Sequence, residues 1–399
     1  MLYNKPYFTL LYLILVCFTG SNAKKAFVSV PVTDLVGQPM SRLYRSKQPA
    51  AMYSSIPLES IRATFECPRL HQALYNEIVE ILEEEGEEVK IKVKNIFYVT
   101  HANKSKKKSI FWAQKKDLIC FDDLKRKNLD TSSLPPPITL TKNYNSITTL
   151  KLPFYDKVTK QLFSAGTRFV ISKDHQDKKN YTTFIFDKKE FLFKKTSIPK
   201  TLCLNRKSNN RKRRKEFVKV AKEWANLTDG FIPYVWGGCS FVKPCKQKKI
   251  VIKHKNGIPI FNRKNYNTIP LTGLDCTGLI ARIAQICNIP FFFKNTTTID
   301  LYLPQIKEIS DVQEGDIIWY PGHVMIISDI ANNRIIEART NSYGCGKVQE
   351  IVLSKAFKDI KNFKQLLDNK KNKLYRLDMN GNIVKKIKKL KILKLISNE

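Results

Sequence analysis

The chain has 399 residues, 43% of them hydrophobic, which excludes a disordered protein and provides enough length for roughly two to three domains with a sizeable core. Its 70 Lys and Arg against 35 Asp and Glu give a formal net charge of +35, which predicts attraction to polyanions such as nucleic acid, anionic lipid or an anionic wall polymer. No nucleic-acid motif accompanies the charge, so no nucleic-acid partner is expected, and lysine spread throughout the chain is also what biased coding produces.

Residues 1–23 place Lys5 before an apolar run from Phe8 to Gly20 and end on Ser21-Asn22-Ala23, the pattern of a signal peptide cleaved after Ala23. Export to the periplasm, the cell wall or the extracellular space is therefore expected. Lipid anchoring at Cys17 is not, because Val16 stands where a small residue belongs. No later stretch approaches the ~20 apolar residues of a membrane span, so no stable membrane insertion is expected once the leader is gone. Nine cysteines fall to eight without Cys17 and to seven if Cys276 stays a free thiol. Cys67 with Cys120 and Cys239 with Cys245 are candidate pairs, and a set of reduced core thiols is the alternative.

From about 65 to 125 the pattern is short strands. Glu77–Leu82 and Glu88–Val93 alternate apolar and charged residues around a turn at Gly86, and Phe111-Trp112-Ala113-Gln114 adds a third strand. The set resembles a bacterial SH3-like barrel, giving an N-terminal segment and first SH3-like domain over 24–130. Leu134-Pro135-Pro136-Pro137 reads as a linker, after which Thr148–Pro153, Thr167–Ser172 and Tyr181–Phe186 form a second SH3-like β domain within 131–205. A basic segment from Arg206 to Lys215 marks the boundary of a last domain, 211–380, and 381–399 reads as a basic tail. Phe217, Val218, Val220, Ala221, Trp224, Ala225 and Leu227 recur at helical spacing, so a helix opens that domain.

The most informative stretch is Gly273-Leu274-Asp275-Cys276-Thr277-Gly278-Leu279 and the residues to Cys287. Cys276, Leu279, Ile280, Ile283, Ala284 and Cys287 form one apolar stripe of a helix whose N-cap is Asp275. A thiol in the first turn faces unpaired N–H groups and the positive end of the dipole, which predicts a pKa lowered toward neutrality; a buried core thiol is the competing reading. Downstream, Gly322-His323-Val324 and Arg334–Ala338 read as two strands joined through Ala331-Asn332-Asn333, and His323 and Glu337 are equally far from that turn. A helix packed on that pair would bring together a thiol, an imidazole to take its proton, and a third polar group to orient the imidazole.

The ordered motifs Tyr234-x-Trp236-Gly-Gly, Asp275-Cys276-Thr277-Gly-Leu, Gly315-Asp316-Ile317 and Gly322-His323-Val324 resemble the NlpC-type family of papain-like cysteine peptidases. The resemblance covers roughly 215–355 and implies an α+β fold, a helix-borne cysteine on an antiparallel sheet, with SH3-like domains as usual companions. It implies cleavage of the γ-D-glutamyl to diamino-acid amide of peptidoglycan stem peptides, with Cys276 as nucleophile, His323 as base and Glu337 as third member. Tyr234 and Trp236 would border the cleft, Asp275 would hold the free amino end of the substrate, and Thr277 stands where the family has Ser. The third position is commonly His in the family, so Glu337 is a departure; a carboxylate can serve, and a solvated strand residue is the alternative reading of it. No metal or nucleotide cofactor is implied, and His71, His101, His175 and His254 lack partners at ligand spacing.

Between Gly238 and Asp275, Ile250–His254 and Ile258–Phe261 flank Lys255-Asn256-Gly257, the signal of an inserted hairpin at about 246–262 that is expected to narrow the cleft. Lys246, Lys248, Lys249 and Lys253 on it are expected to attract substrate carboxylates; a surface excursion without effect is the alternative. Two further functions stay open at this point: an N-acetylmuramoyl-L-alanine amidase using the same residues, and a wall-binding protein without catalysis.

Overall fold

The computed structural model describes residues 24–43, 53, 68–136, 146–172, 177–204, 209–245, 272–340, 346–369 and 374–396, with the backbone of 253–255 and 258–260. The expected leader, Cys67, His175 and Lys246, Lys248 and Lys249 lie outside the described residues. The chain combines helices with mostly antiparallel sheets.

Seven strands make the first sheet: β1 (Lys24–Val28), β2 (Val32–Val36), β3 (Arg69–Leu74), β4 (Ile78–Glu85), β5 (Glu88–Lys92), β6 (Ile110–Gln114) and β7 (Leu118–Cys120), in the order β3-β2-β6-β5-β4-β1-β7. Alternation in β4 and β5 sends Val79, Ile81, Val89 and Ile91 into one core with Phe111 and Ala113, and Gly86 takes the positive φ, 58°, of their turn. The sheet starts earlier than the patterning predicts, because β2 and the last three residues of β1 are buried on both faces and so lack the alternation that marks a strand. Phe27 of β1 points to the other side, against Phe186 of the next unit, with ring centroids 5.5 Å apart.

That unit comprises β8 (Ile147–Leu150), β9 (Phe154–Asp156), β10 (Gln161–Phe163), β11 (Arg168–Val170), β12 (Asn180–Asp187), β13 (Leu192–Pro199) and β14 (Cys203–Leu204). Its core of Phe163, Phe169, Ile185, Phe186 and Ile198 also takes in Phe27 and Tyr75 of the first unit and Leu134. Leu134, expected in a linker, is thus part of the joint between the two units.

The last unit opens with the helix Asn210–Ala225, capped by the Asn209 side chain, which buries Phe217, Val218, Val220, Ala221 and Trp224 as the spacing predicts. β15 (Cys239–Ser240) pairs with β18 (Gly273–Leu274), and between them β16 (Lys253–Lys255) pairs with β17 (Ile258–Ile260) as the expected ribbon. The helix Cys276–Ile286 and a second helix, Thr296–Tyr302, follow. The remaining strands are β19 (Gln305–Ile306), β20 (Ile317–Tyr320), β21 (His323–Asp329), β22 (Arg334–Ala338), β23 (Val348–Val352), β24 (Leu374–Leu377), β25 (Ile383–Ile387) and β26 (Lys391–Leu393).

Six of these make the sheet β19-β26-β20-β21-β22-β23. On one face Ile317, Trp319, Val324, Ile326 and Ile336 pack on Leu279, Ile280 and Ile283 of the Cys276 helix; on the other, Tyr320, Met325 and Ile335 pack on Phe357, Phe363 and Leu366. The expected basic tail is corrected here. β26 is an inner strand between β19 and β20, and Ile392 and Leu393 are fully buried, one on each face, among lysines that mask the alternation in composition. No helix among the described residues is long and apolar enough to cross a membrane.

Candidate active site

Asp275 caps the Cys276 helix: its Oδ1 accepts the N–H of Gly278, and the Thr277 hydroxyl shares its proton between that oxygen, at 2.8 Å, and the Lys294 carbonyl, at 2.7 Å. Its other oxygen, Oδ2, accepts from the Lys294 ammonium at 2.9 Å, both side chains being nearly closed to solvent. The carboxylate assigned by resemblance to the amino end of a substrate is therefore engaged on both oxygens by the protein itself. Lys294 had no signal in the sequence; it lies on the segment after the helix, which the first unit holds through Phe97 N–H to the Phe292 carbonyl at 2.9 Å and Lys294 N–H to the Phe97 carbonyl at 3.0 Å.

Cys276 is buried, and its sulfur accepts the backbone N–H groups of Val324 and Thr277. The thiol thus meets the sheet at the beginning of β21, one residue from His323. The N–H of Cys276 itself donates to no group among the described residues. The expectation of a lowered thiol pKa is corrected: burial, with the Asp275 carboxylate beside it, pushes Cys276 up to about 12, outweighing the backbone donors and Lys294. The resting group is a neutral thiol.

His323 Nε2 lies 2.8 Å from Glu337 Oε2. The register Ile326↔Ile336 and Ile327↔Ile335, continued, sets Glu337 across from Met325, so the contact to His323 is a diagonal one that the long Glu side chain spans on a shared face. Nδ1 of His323 has no hydrogen-bond partner among the described residues, and the side chain is 12% exposed. Burial lowers the imidazole below its ordinary value, the Glu337 hydrogen bond pulls it up, and Arg376 and Arg339 push it down again, leaving a neutral ring. Glu337 is fully buried, so it is not a solvated strand residue. It also accepts from Gln349 Nε2 at 3.1 Å and from Arg376 Nη2 at 2.5 Å. Burial alone would raise its carboxyl, but Arg376 and His323 hold it well below the usual carboxylate range.

No family model matches the sequence. No curated protein matches it either. Its structural neighbours are NlpC/P60 family proteins. A crystal structure of an NlpC/P60 family protein from Bacillus cereus is 15% identical, covers 82% of this chain and 94% of that one, and has a TM-score of 0.48. The structure of NlpC2 from Trichomonas vaginalis is 11% identical, covers 83% of this chain and 94% of that one, and has a TM-score of 0.31.

Two glycines explain why the Trp-Gly-Gly and Cys-Thr-Gly segments sit against each other. The Gly238 carbonyl accepts the Asp275 N–H at 3.0 Å, and a Cβ on Gly278 would fall 2.0 Å from that carbonyl, so the helix end approaches only with hydrogen at this position. Gly237 holds φ 68° above the Arg69 carbonyl, which leaves Trp236 41% exposed and sets its carbonyl to accept from Arg69 Nη1 at 3.3 Å. Tyr234, by contrast, is buried, its N–H donating to the Gly346 carbonyl at 2.7 Å. Of the four residues assigned to substrate, only Trp236 is widely open to solvent.

Cys239 and Cys245 are separate free thiols, which corrects that candidate pairing: Cys239 sulfur faces the Gly278 carbonyl at 3.6 Å, while the Cys245 backbone pairs with Phe231. Cys120 is likewise free, and Cys287 packs in the core. His71 is buried beside Phe111, and His101 Nε2 is 3.1 Å from Thr297 Oγ1. Among the described residues no three His, Cys, Asp or Glu gather as a metal site would require.

Proposed function

We propose that the chain is an exported cysteine endopeptidase that hydrolyses the γ-D-glutamyl to diamino-acid amide of peptidoglycan stem peptides. The observation that carries the hydrolase reading is the thiol at a helix N-terminus, whose sulfur takes the N–H of Val324, the residue next to His323, while His323 Nε2 is bonded to a buried carboxylate. The bond and the substrate rest on the resemblance of the four sequence motifs, and the exported location on the leader pattern. The two β domains and the basic surface would hold the enzyme near wall polymer.

In this reading His323 is the neutral base. As Cys276 sulfur bonds to the amide carbon, His323 takes the thiol proton, and the oxygen that becomes negative is met by the unspent Cys276 N–H at the positive end of the helix. Collapse breaks the C–N bond, His323 returns the proton to the leaving amine, and an acyl-enzyme remains. Water then gives its proton to His323 as its oxygen attacks the thioester; the C–S bond breaks and His323 returns the proton to the sulfur, releasing acid and free thiol. A thiol with its pKa near 12 makes proton transfer concurrent with attack, since a standing thiolate is scarce at neutral pH. The test is release of dipeptide and diamino-acid fragments from a stem tetrapeptide by the native protein but not by Cys276→Ala. Equal release by both, or by neither, rejects the assignment; in mass spectra of digested wall, fragments carrying an intact stem peptide would identify an amidase instead.

The raised thiol pKa favours one second reading, a wall-binding protein without catalysis. Iodoacetamide decides: Cys276 reacting no faster than a denatured thiol, with wall pull-down retained, would support it.

A further inference from the structure

A carboxylate is a hazardous partner for an imidazole that must take up a proton. A bare carboxylate 2.8 Å from His323 Nε2 in a buried site would favour imidazolium, by about one to three pKa units for a close opposite charge, and a ring already protonated cannot accept the thiol proton. Glu337 is not bare. Arg376 Nη2 stands 2.5 Å from both of its oxygens, Nη1 donates to the Ala356 carbonyl at 2.7 Å, and the guanidinium lies 5.1 Å over the Phe357 ring. The two side chains are 1% and 0% exposed. Backbone pairing of Arg376 with Lys385 on one side and with Phe357 on the other holds β24 in place, so the guanidinium is fixed from two directions.

We propose that Arg376 is a positioning residue whose charge cancels that of Glu337, so that the carboxylate orients His323 as a neutral acceptor would and leaves the ring an unprotonated base. What the base then does rests on the hydrolase reading above, while the electrostatic claim concerns His323 alone. The surrounding groups agree with the sign. Arg339 follows β22, the Tyr320 ring of β20 lies tilted with its centroid 5.4 Å from that of the imidazole, and Lys385 of β25 donates to the Pro321 carbonyl at 2.9 Å. Cys276 and the Lys294-paired Asp275 lie at the helix end, and Asp378 faces Arg339 from solvent. Arg339 acts on the ring in the same direction as Arg376, against protonation.

The experiment is an NMR titration of histidine-labelled full chain without substrate, the His323 signal being assigned by its loss in His323→Gln. Arg376→Met should raise the His323 pKa by about one unit or more, and Glu337→Gln combined with Arg376→Met should bring it back to within roughly half a unit of the native value. Glu337→Gln alone should lower it, because Arg376 is then uncompensated. An unmoved titration in Arg376→Met, or a double variant that stays shifted, would reduce Arg376 to a structural tie. If Arg376→Met does not fold, Glu337→Gln decides, and no downward shift there overturns the proposal. Stem-peptide hydrolysis separates the two claims: the acid limb of kcat/KM should move upward with the His323 pKa. The expected NMR shifts in a protein that hydrolyses nothing would uphold charge cancellation and reject the peptidase.

Discussion

Asp275 does two things that pull against each other. As N-cap it fixes the first turn of the Cys276 helix, yet its charge beside Cys276 opposes formation of a thiolate. Lys294 reconciles them, because an ammonium 2.9 Å from Oδ2 offsets the carboxylate without removing the cap. Replacing Lys294 with Met should therefore raise the Cys276 pKa further, by about one unit, and slow alkylation by iodoacetamide at fixed pH about tenfold. Circular dichroism would confirm that the variant is folded, since losing one partner of a buried pair costs roughly 3–5 kcal/mol. Alkylation at the native rate in a folded variant would show that Lys294 does not act on the thiol.

At the scale of elements, the six-stranded sheet depends on chain that is distant in sequence. β26 supplies hydrogen bonds to both β19 and β20, and the segment carrying it reads as a tail because lysines surround its apolar residues. Truncation after residue 380 would expose the edge of β20 and leave Ile317 and Ile318 without their strand partners Leu393 and Ile392. A 24–380 chain should accordingly be aggregated or lack a cooperative melt, whereas a melt like that of the full chain would return 381–399 to the status of a dispensable tail. The same β24–β26 region delivers Arg376 to Glu337, so truncation only a few residues earlier would also remove the counter-charge of the site.

Across the whole molecule, Arg282 joins all three units. Its Nε donates to the Cys239 carbonyl at 2.7 Å and its Nη2 to the Gln72 carbonyl at 3.1 Å, while Nη1 pairs with Glu77 at 3.1 Å. Its stem lies so close to Gly166 that a Cβ there would clash. Arg282→Met should thus destabilise by roughly 3–5 kcal/mol, the range for breaking a buried pair, and loosen the first unit from the Cys276 helix. Limited proteolysis near residues 131–145 should release a fragment of the first unit faster than from the native chain; equal rates and an equal melting temperature would show that other contacts suffice.

What the sequence determined by itself is local. Strand alternation in β4 and β5, the helix from Asn210, the Asp275 cap and the Cys276 stripe all depend on residues within a few positions of one another, and periodicity reports them directly. The hairpin carrying His323 and Glu337 was legible for the same reason, although its register shifted the contact from opposite to diagonal. Strands buried on both faces, such as β2, carry no alternation and stayed hidden. The charges that tune the site were also invisible, because Lys294, Arg339 and Arg376 look like any other basic residue in a chain of 70. Their effect on Cys276 and His323 arises from burial and from distances of a few ångströms across separate elements. Only packing sets those quantities, so the tertiary structure decided the protonation of the site while the sequence decided which groups stand in it.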